Sequence, residues 1–219
     1  DGKYIFVYYR SGNFAGLDID GKVLWKTNLQ ERFGQDTLYW DIGTSPVVTE
    51  AHAVIAVIQE RGSFLAAFDK KSGKLAWKVA RNYECPTEGD HSYTTPIVVL
   101  HEGKEAILVW GAERLTLHSA ADGKIIWSCS GFNPDQRRNW VTVASPVISS
   151  GVVVVPYGRG ERLAGIRLGG KGDVTATHRL WTVEGNGTFV PTPAASGGEV
   201  FILRDKGQVV CLDSKTGRT

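Results

Sequence analysis

A chain of 219 residues with 25 basic and 23 acidic side chains, a net charge of +2 and 42% hydrophobic residues can bury a sizeable core, and its charge is too evenly balanced to suggest a nucleic-acid partner. No apolar run approaches the length of a membrane-spanning helix. Cys85, Cys129 and Cys211 lie far apart without a CxxC pair, so they indicate neither a metal site nor a disulfide framework, and no Ser-His-Asp, Walker or zinc-protease motif is present.

In chain order, Lys3–Leu29 contains three predicted strands, the last opening on Gly21-Lys22-Val23-Leu24-Trp25. Ser45-Pro46-Val47 begins a four-strand group at 44–49, 52–59, 63–69 and 74–79, which closes on Gly73-Lys74-Leu75-Ala76-Trp77. Thr95-Pro96-Ile97 opens the third copy and Gly123-Lys124-Ile125-Ile126-Trp127 closes it. Ser145-Pro146-Val147 opens the fourth, which holds the continuous apolar run Val152–Val155, inserts Gly169-Gly170-Lys171-Gly172-Asp173 and reaches Trp181. Thr192-Pro193-Ala194 opens the last copy, which runs to Ser214-Lys215-Thr216-Gly217. No segment combines helical periodicity, caps and length, so no long helix is expected.

The prolines stand 50, 50 and 47 residues apart, and the tryptophan element keeps the same beat. Four strands per repeat of this length predict an all-β fold, a β-propeller of four-stranded antiparallel blades around a channel. The expected blades are 1–29, 44–79, 94–128, 144–184 and 190–219. Pro46, Pro96, Pro146 and Pro193 should lie on the innermost strands, and Trp25, Trp77, Trp127 and Trp181 on the outermost, filling the wedges between blades. Asp69 and Asp213 end third strands, where a carboxylate accepts turn N–H groups, and Gly73 and Gly123 supply left-handed turn backbone. The first copy lacks a Ser/Thr-Pro strand, the last stops before its Trp strand, and the chain has no Met. The sequence therefore reads as about four and a half blades, an open fragment of a seven- or eight-bladed ring of roughly 350–400 residues.

Ala67-Phe68-Asp69-Lys70-Lys71-Ser72-Gly73-Lys74-Leu75-Ala76-Trp77 resembles the tryptophan-docking motif of the PQQ-like, or quinoprotein alcohol dehydrogenase-like, propeller repeats, and Leu212-Asp213-Ser214-Lys215-Thr216-Gly217 repeats its front half. Asp18 stands one residue closer to its glycine, and Ser119 replaces the expected Asp. The resemblance implies an extracytoplasmic protein (periplasmic, secreted or in the cell envelope). Members of the family act as non-catalytic binding scaffolds or as PQQ-dependent dehydrogenases. The latter carry adjacent cysteines over the quinone, a Ca²⁺ site from Glu, Asn and Asp, and a catalytic Asp. No two cysteines here are adjacent and no calcium-loop pattern appears, so the reading is a scaffold without cofactor or catalytic residue. A dehydrogenase using PQQ with Ca²⁺ and an extracellular sensor or carbohydrate-binding module stand as alternatives.

Binding chemistry is expected at one rim of the channel. Trp40 and Trp140 lie six residues before their prolines, as does Asp90, while Asp41 and His91 lie five before. With Tyr93 and Arg138 they form a candidate rim for a protein partner or a small polar or anionic ligand. Arg10, Arg61 and Arg159 share a repeat position in the turn between second and third strands, and Arg204 is one residue off. Guanidinium groups there suit carboxylates or phosphates. The competing reading is that the long links merely shield the blade tops and that each arginine pairs with a nearby carboxylate such as Glu60, Glu113 or Glu161.

Overall fold

A computed structural model describes all residues, 1–219. The strands run β1 (Tyr4–Tyr8), β2 (Asn13–Asp18) and β3 (Val23–Asn28), then a short helix α1 (Leu29–Phe33). Next come β4 (Val47–Val48), β5 (His52–Val57), β6 (Phe64–Asp69) and β7 (Leu75–Ala80), followed by β8 (Ile97–His101), β9 (Lys104–Gly111), β10 (Arg114–Ser119) and β11 (Ile125–Cys129). The fourth group is β12 (Val147–Ser149), β13 (Val152–Tyr157), β14 (Arg162–Arg167), a two-residue β15 (Gly172–Asp173), α2 (Thr175–His178) and β16 (Arg179–Glu184). The last is β17 (Ala194–Ser196), β18 (Glu199–Leu203) and β19 (Val209–Asp213).

Apart from β15, each group forms one antiparallel sheet whose strands follow chain order, with three strands in the first and last sheets; β15 of the fourth group adds in parallel to the outer edge of the third sheet, beside β11. The first and last sheets do not pair, so the array is open. The four prolines directly precede the innermost strands, and the four tryptophans lie on the outermost ones. The inner strands are short. Proline brings no N–H to a ladder, and the N–H groups of Ser45, Thr95 and Ser145 leave their own sheets. They donate to the hydroxyls of Thr95, Ser145 and Thr192 in the next blade at 3.1, 3.0 and 3.1 Å.

Alternation along the middle strands joins the blades. Ala53, Ile55 and Val57 of β5 pack with Phe14 and Trp25 of the first blade, whereas Val54 and Ala56 pack with Ile107 and Val109 of the third. Val153 and Val155 of β13 face Leu108 and Trp110, while Val152 and Val154 face Val200 and Ile202. A strand buried on both faces has no polar side, which accounts for the continuous apolar run at 152–155.

Three tryptophans reach the next blade in the same way. Trp25, Trp77 and Trp181 donate from Nε1 to the carbonyls of Lys70, Ala120 and Ser214 at 2.9, 3.1 and 3.0 Å. The rings lie flat on Gly73, Gly123 and Gly217, where an added Cβ would stand 2.5, 2.7 and 2.6 Å from the indole. Asp69 and Asp213 organise those turns, accepting from the N–H and hydroxyl of Ser72 and of Thr216, bonds that lower both carboxyl pKa values.

The rings expected to fill the wedges between blades are covered unequally. Trp77 and Trp181 are only half-buried, whereas Trp127 is fully covered. The inserted glycines of the fourth blade explain the difference. They carry β15 across to pair in parallel with β11, opposite Trp127 and Ser128, and deliver Val174 into the core around Trp127. The turn that accepts the other indoles is thereby displaced, and Trp127 Nε1 has no acceptor.

Candidate functional site

The segments linking successive blades, 34–46, 81–96, 130–146 and 185–193, are bonded to one another. Tyr93 N donates to Thr142 O at 2.9 Å and Thr142 N to His91 O at 3.1 Å, while Asn139 N donates to Thr87 O at 2.7 Å and Ala144 N to Phe189 O at 3.0 Å. These linkers bring Leu38, Tyr93 and Val141 together as a small apolar cluster, with Ile42, Val143 and Phe189 packed against it. Burying these side chains removes apolar surface from water at the meeting point of four linkers, so hydrophobic packing holds the linker layer together.

That packing changes the parts expected of three rim residues. His91 is 1% exposed, both its ring nitrogens lack partners, and the Tyr39 ring stands edge-on to it at 4.6 Å. Tyr93 is buried, and its hydroxyl accepts the Trp40 N–H at 3.3 Å; burial pushes the phenol pKa up. Trp140 is buried too, donating to Phe132 O at 3.0 Å and closing over Gly158, where an added Cβ would meet the ring at 2.8 Å. These three serve the interior of the linker layer, whose folding over the blade tops was the competing reading.

Other candidates remain outside. Trp40 is 70% exposed, and Asp41 beside it is exposed and ion-paired with Arg10. Arg138 donates to Thr87 Oγ1 at 3.2 Å. The turn arginines have different surroundings. Arg61 is exposed with Glu60 at 4.0 Å, whereas Arg159 donates to Asn139 O at 3.2 Å and lies over the Phe189 ring at 4.5 Å. Arg204 donates to Gln208 Oε1 at 2.8 Å. Only Arg10 and Arg61 have carboxylate partners, and Arg61's is at the limit of an ion pair.

Two grooves of opposite character open on this face. One, about 630 Å³, is lined by Glu60, Glu84 and Asp90 with Arg61 and Cys85. Burial raises the Asp90 carboxyl, and that of nearby Glu113, above the ordinary range, and pushes the Cys85 thiol up to about 12, so this thiol is protonated and unreactive at neutral pH. The other groove, about 680 Å³, lies between the fourth and fifth blades and includes Arg159 and Arg204 with Lys206, Arg137 and Phe189. Lys206, Phe189 and Leu38 carried no signal in the sequence that set them apart.

No three His, Cys, Asp or Glu side chains converge as a metal-ligand set, and the three cysteines are unpaired. The side chains gathered where the linkers meet, Leu38, Tyr93 and Val141, offer no carboxylate and amide set for Ca²⁺ and no adjacent sulfurs to support a quinone, so this cluster does not fit a PQQ–Ca²⁺ group.

Comparison with known proteins places this geometry. No curated protein sequence matches the chain. Among solved structures, BamB from Moraxella catarrhalis superposes with a TM-score of 0.67 at 16% identity, over 99% of this chain and 60% of that one. Quinohemoprotein alcohol dehydrogenase ADHIIG from Pseudomonas putida HK5 gives 0.67 at 15% identity over 99% and 40%, and a europium-containing methanol dehydrogenase 0.69 at 12% over 100% and 48%. At such identities the likeness is one of fold, and the chain spans between 40 and 60% of these structures' lengths. The family profile described as outer membrane protein assembly factor BamB matches residues 1–219, and the chain belongs to this family of PQQ-like repeats.

Proposed function

We propose that residues 1–219 form one propeller array, with blades 1–29, 44–79, 94–128, 144–184 and 190–219, that acts as a non-catalytic, extracytoplasmic scaffold and holds a protein partner on its linker face. The observation that carries this reading is the apolar cluster of Leu38, Tyr93 and Val141, which packs the linkers against one another. It leaves exposed Trp40 and charged turns facing outward. An exposed tryptophan beside charged groups suits contact with a macromolecular surface. The family description, an outer membrane assembly factor, supports the same class of function and the same compartment. The likeness to quinoprotein dehydrogenases supports their fold, and a linker cluster without carboxylates, amides or adjacent sulfurs argues against their cofactor at this place.

A photo-crosslinking amino acid at Trp40 in the intact protein tests the proposal in cells. The expected result is a discrete crosslink to one envelope protein, lost when the group is moved to Lys74 on the opposite turns. Stoichiometric binding of added PQQ and Ca²⁺ with dye-linked alcohol oxidation would overturn it.

A further inference from the structure

We propose that the groove between the fourth and fifth blades is a binding site for an acidic peptide segment, held by Arg159, Arg204 and Lys206. This rests on the scaffold reading and names the chemistry of what one part of its face takes.

The charges in the groove do not cancel. Arg137 is paired with Glu161 at 3.2 Å and Arg162 with Glu184 at 3.0 Å. Asp205, the remaining carboxylate, is occupied by the backbone, accepting from Phe189 N at 2.9 Å and Val190 N at 3.2 Å. Arg159, Arg204 and Lys206 are left without any carboxylate partner in the same groove. Unpaired cations are ordinary on a surface. Here three of them line one concavity of about 680 Å³, a size suited to a ligand.

The site is also built. Arg159 sits at φ 53° between Gly158 and Gly160, both with positive φ, in the tight turn between β13 and β14. Gly160 is close against Asp205 and Phe189, where an added Cβ would stand 2.9 Å from Oδ2 and 3.0 Å from N. The Asp205 carboxylate thus ties the linker at Phe189 to the turn that carries Arg204 and Lys206. Phe189 in turn supports the Arg159 guanidinium from below. The guanidinium is steadied on one side, which lowers the ordering cost of a bidentate bond to a carboxylate. The groove on the second blade and its outgoing linker is lined by Glu60, Glu84 and Asp90 and repels the same ligand, so an acidic segment is directed to the groove between the fourth and fifth blades.

The probe is a short fluorescein-labelled peptide of alternating Asp and Glu, titrated against the full chain at low ionic strength and followed by polarisation. We expect saturable binding that weakens as salt rises, and a loss of roughly tenfold or more in the Arg159→Ala/Arg204→Ala variant. The charge-matched Lys74→Ala/Lys215→Ala variant, altered on the opposite turns, should bind like the parent. Thermal melting of each variant keeps affinity separate from folding. Equal affinity in the two variants, no binding by the parent, or displacement by inorganic phosphate at concentrations equal to the peptide's would each overturn the proposal; the last would make the groove a site for small anions. None of these results would touch the Trp40 crosslink, so the groove and the scaffold reading can fail independently.

Discussion

The backbone N–H of Ser45 donates across a blade boundary to the side-chain oxygen of Thr95, 3.1 Å away and one repeat further along the chain. The same bond recurs from Thr95 to Ser145 and from Ser145 to Thr192. The Ser/Thr before each proline is therefore a connector. A proline cannot contribute an N–H to its own sheet, and the residue before it uses its own N–H to bind the next blade. Thr95→Val should cost about 1 kcal/mol, because it removes the acceptor and leaves the shape. Thr95→Ser should cost less. Urea unfolding of both variants reads the difference, and equal losses would show that the methyl matters more than the hydroxyl.

The tryptophans should differ according to their covers. Trp127→Ala removes a fully buried ring held by Val174 and should cost about 3–5 kcal/mol. Trp77→Ala should cost less, since that ring is half-exposed, and Trp40→Ala should change stability by no more than about 0.5 kcal/mol. Denaturant midpoints in that order are the expected result.

Gly73 and Gly103 separate strain from collision. Both have positive φ, 66° and 76°, but an added Cβ at Gly73 meets Trp25 at 2.5 Å and one at Gly103 meets nothing. Gly103→Ala should cost about 1–2 kcal/mol through backbone strain alone. Gly73→Ala should cost clearly more and should shift the emission of Trp25, whose ring must move.

Acid should destabilise the protein through His118. Its Nδ1 donates to Gly123 O at 2.8 Å, and its Nε2 accepts from Thr116 Oγ1 at 2.9 Å, the same hydroxyl that accepts from buried Arg81. Burial first lowers its pKa from 6.5 to about 4, and the Arg81 charge adds to the lowering. Between those values the unfolded chain binds the proton and the folded one does not, so stability is lost as pH falls from 6.5 to about 4 and the loss then levels off. The full effect is on the order of 3 kcal/mol. His118→Gln should be less stable at neutral pH and show less loss over this window, measured as the difference in unfolding free energy between the two pH values. Identical pH profiles would place the acid sensitivity elsewhere.

Much of the blade was legible in one dimension. Proline and tryptophan recur at the same repeat position, and because each blade is built from consecutive strands, position in the repeat specifies which strand a residue joins. The continuous apolar run at 152–155 marked a strand covered on both faces for the same local reason. Position in the repeat did not say what would cover a residue. Trp40 and Trp140 share a phase, yet one is exposed and the other closes over Gly158. Leu38, Tyr93, Val141 and Phe189, which come together where the linkers meet, stand eight, three, five and four residues before their prolines, so aligning repeats separates them. Their meeting depends on four links of different length folding over one another. The full cover on Trp127 comes from the fourth blade's insertion, and the unbalanced charge of the groove from which neighbours each carboxylate reached first. Sequence alone determined the repeat and the order of strands within a blade, because those follow from contacts close along the chain. Burial at the rim and the excess charge in the groove arise between segments far apart in sequence, and only the tertiary structure decided them.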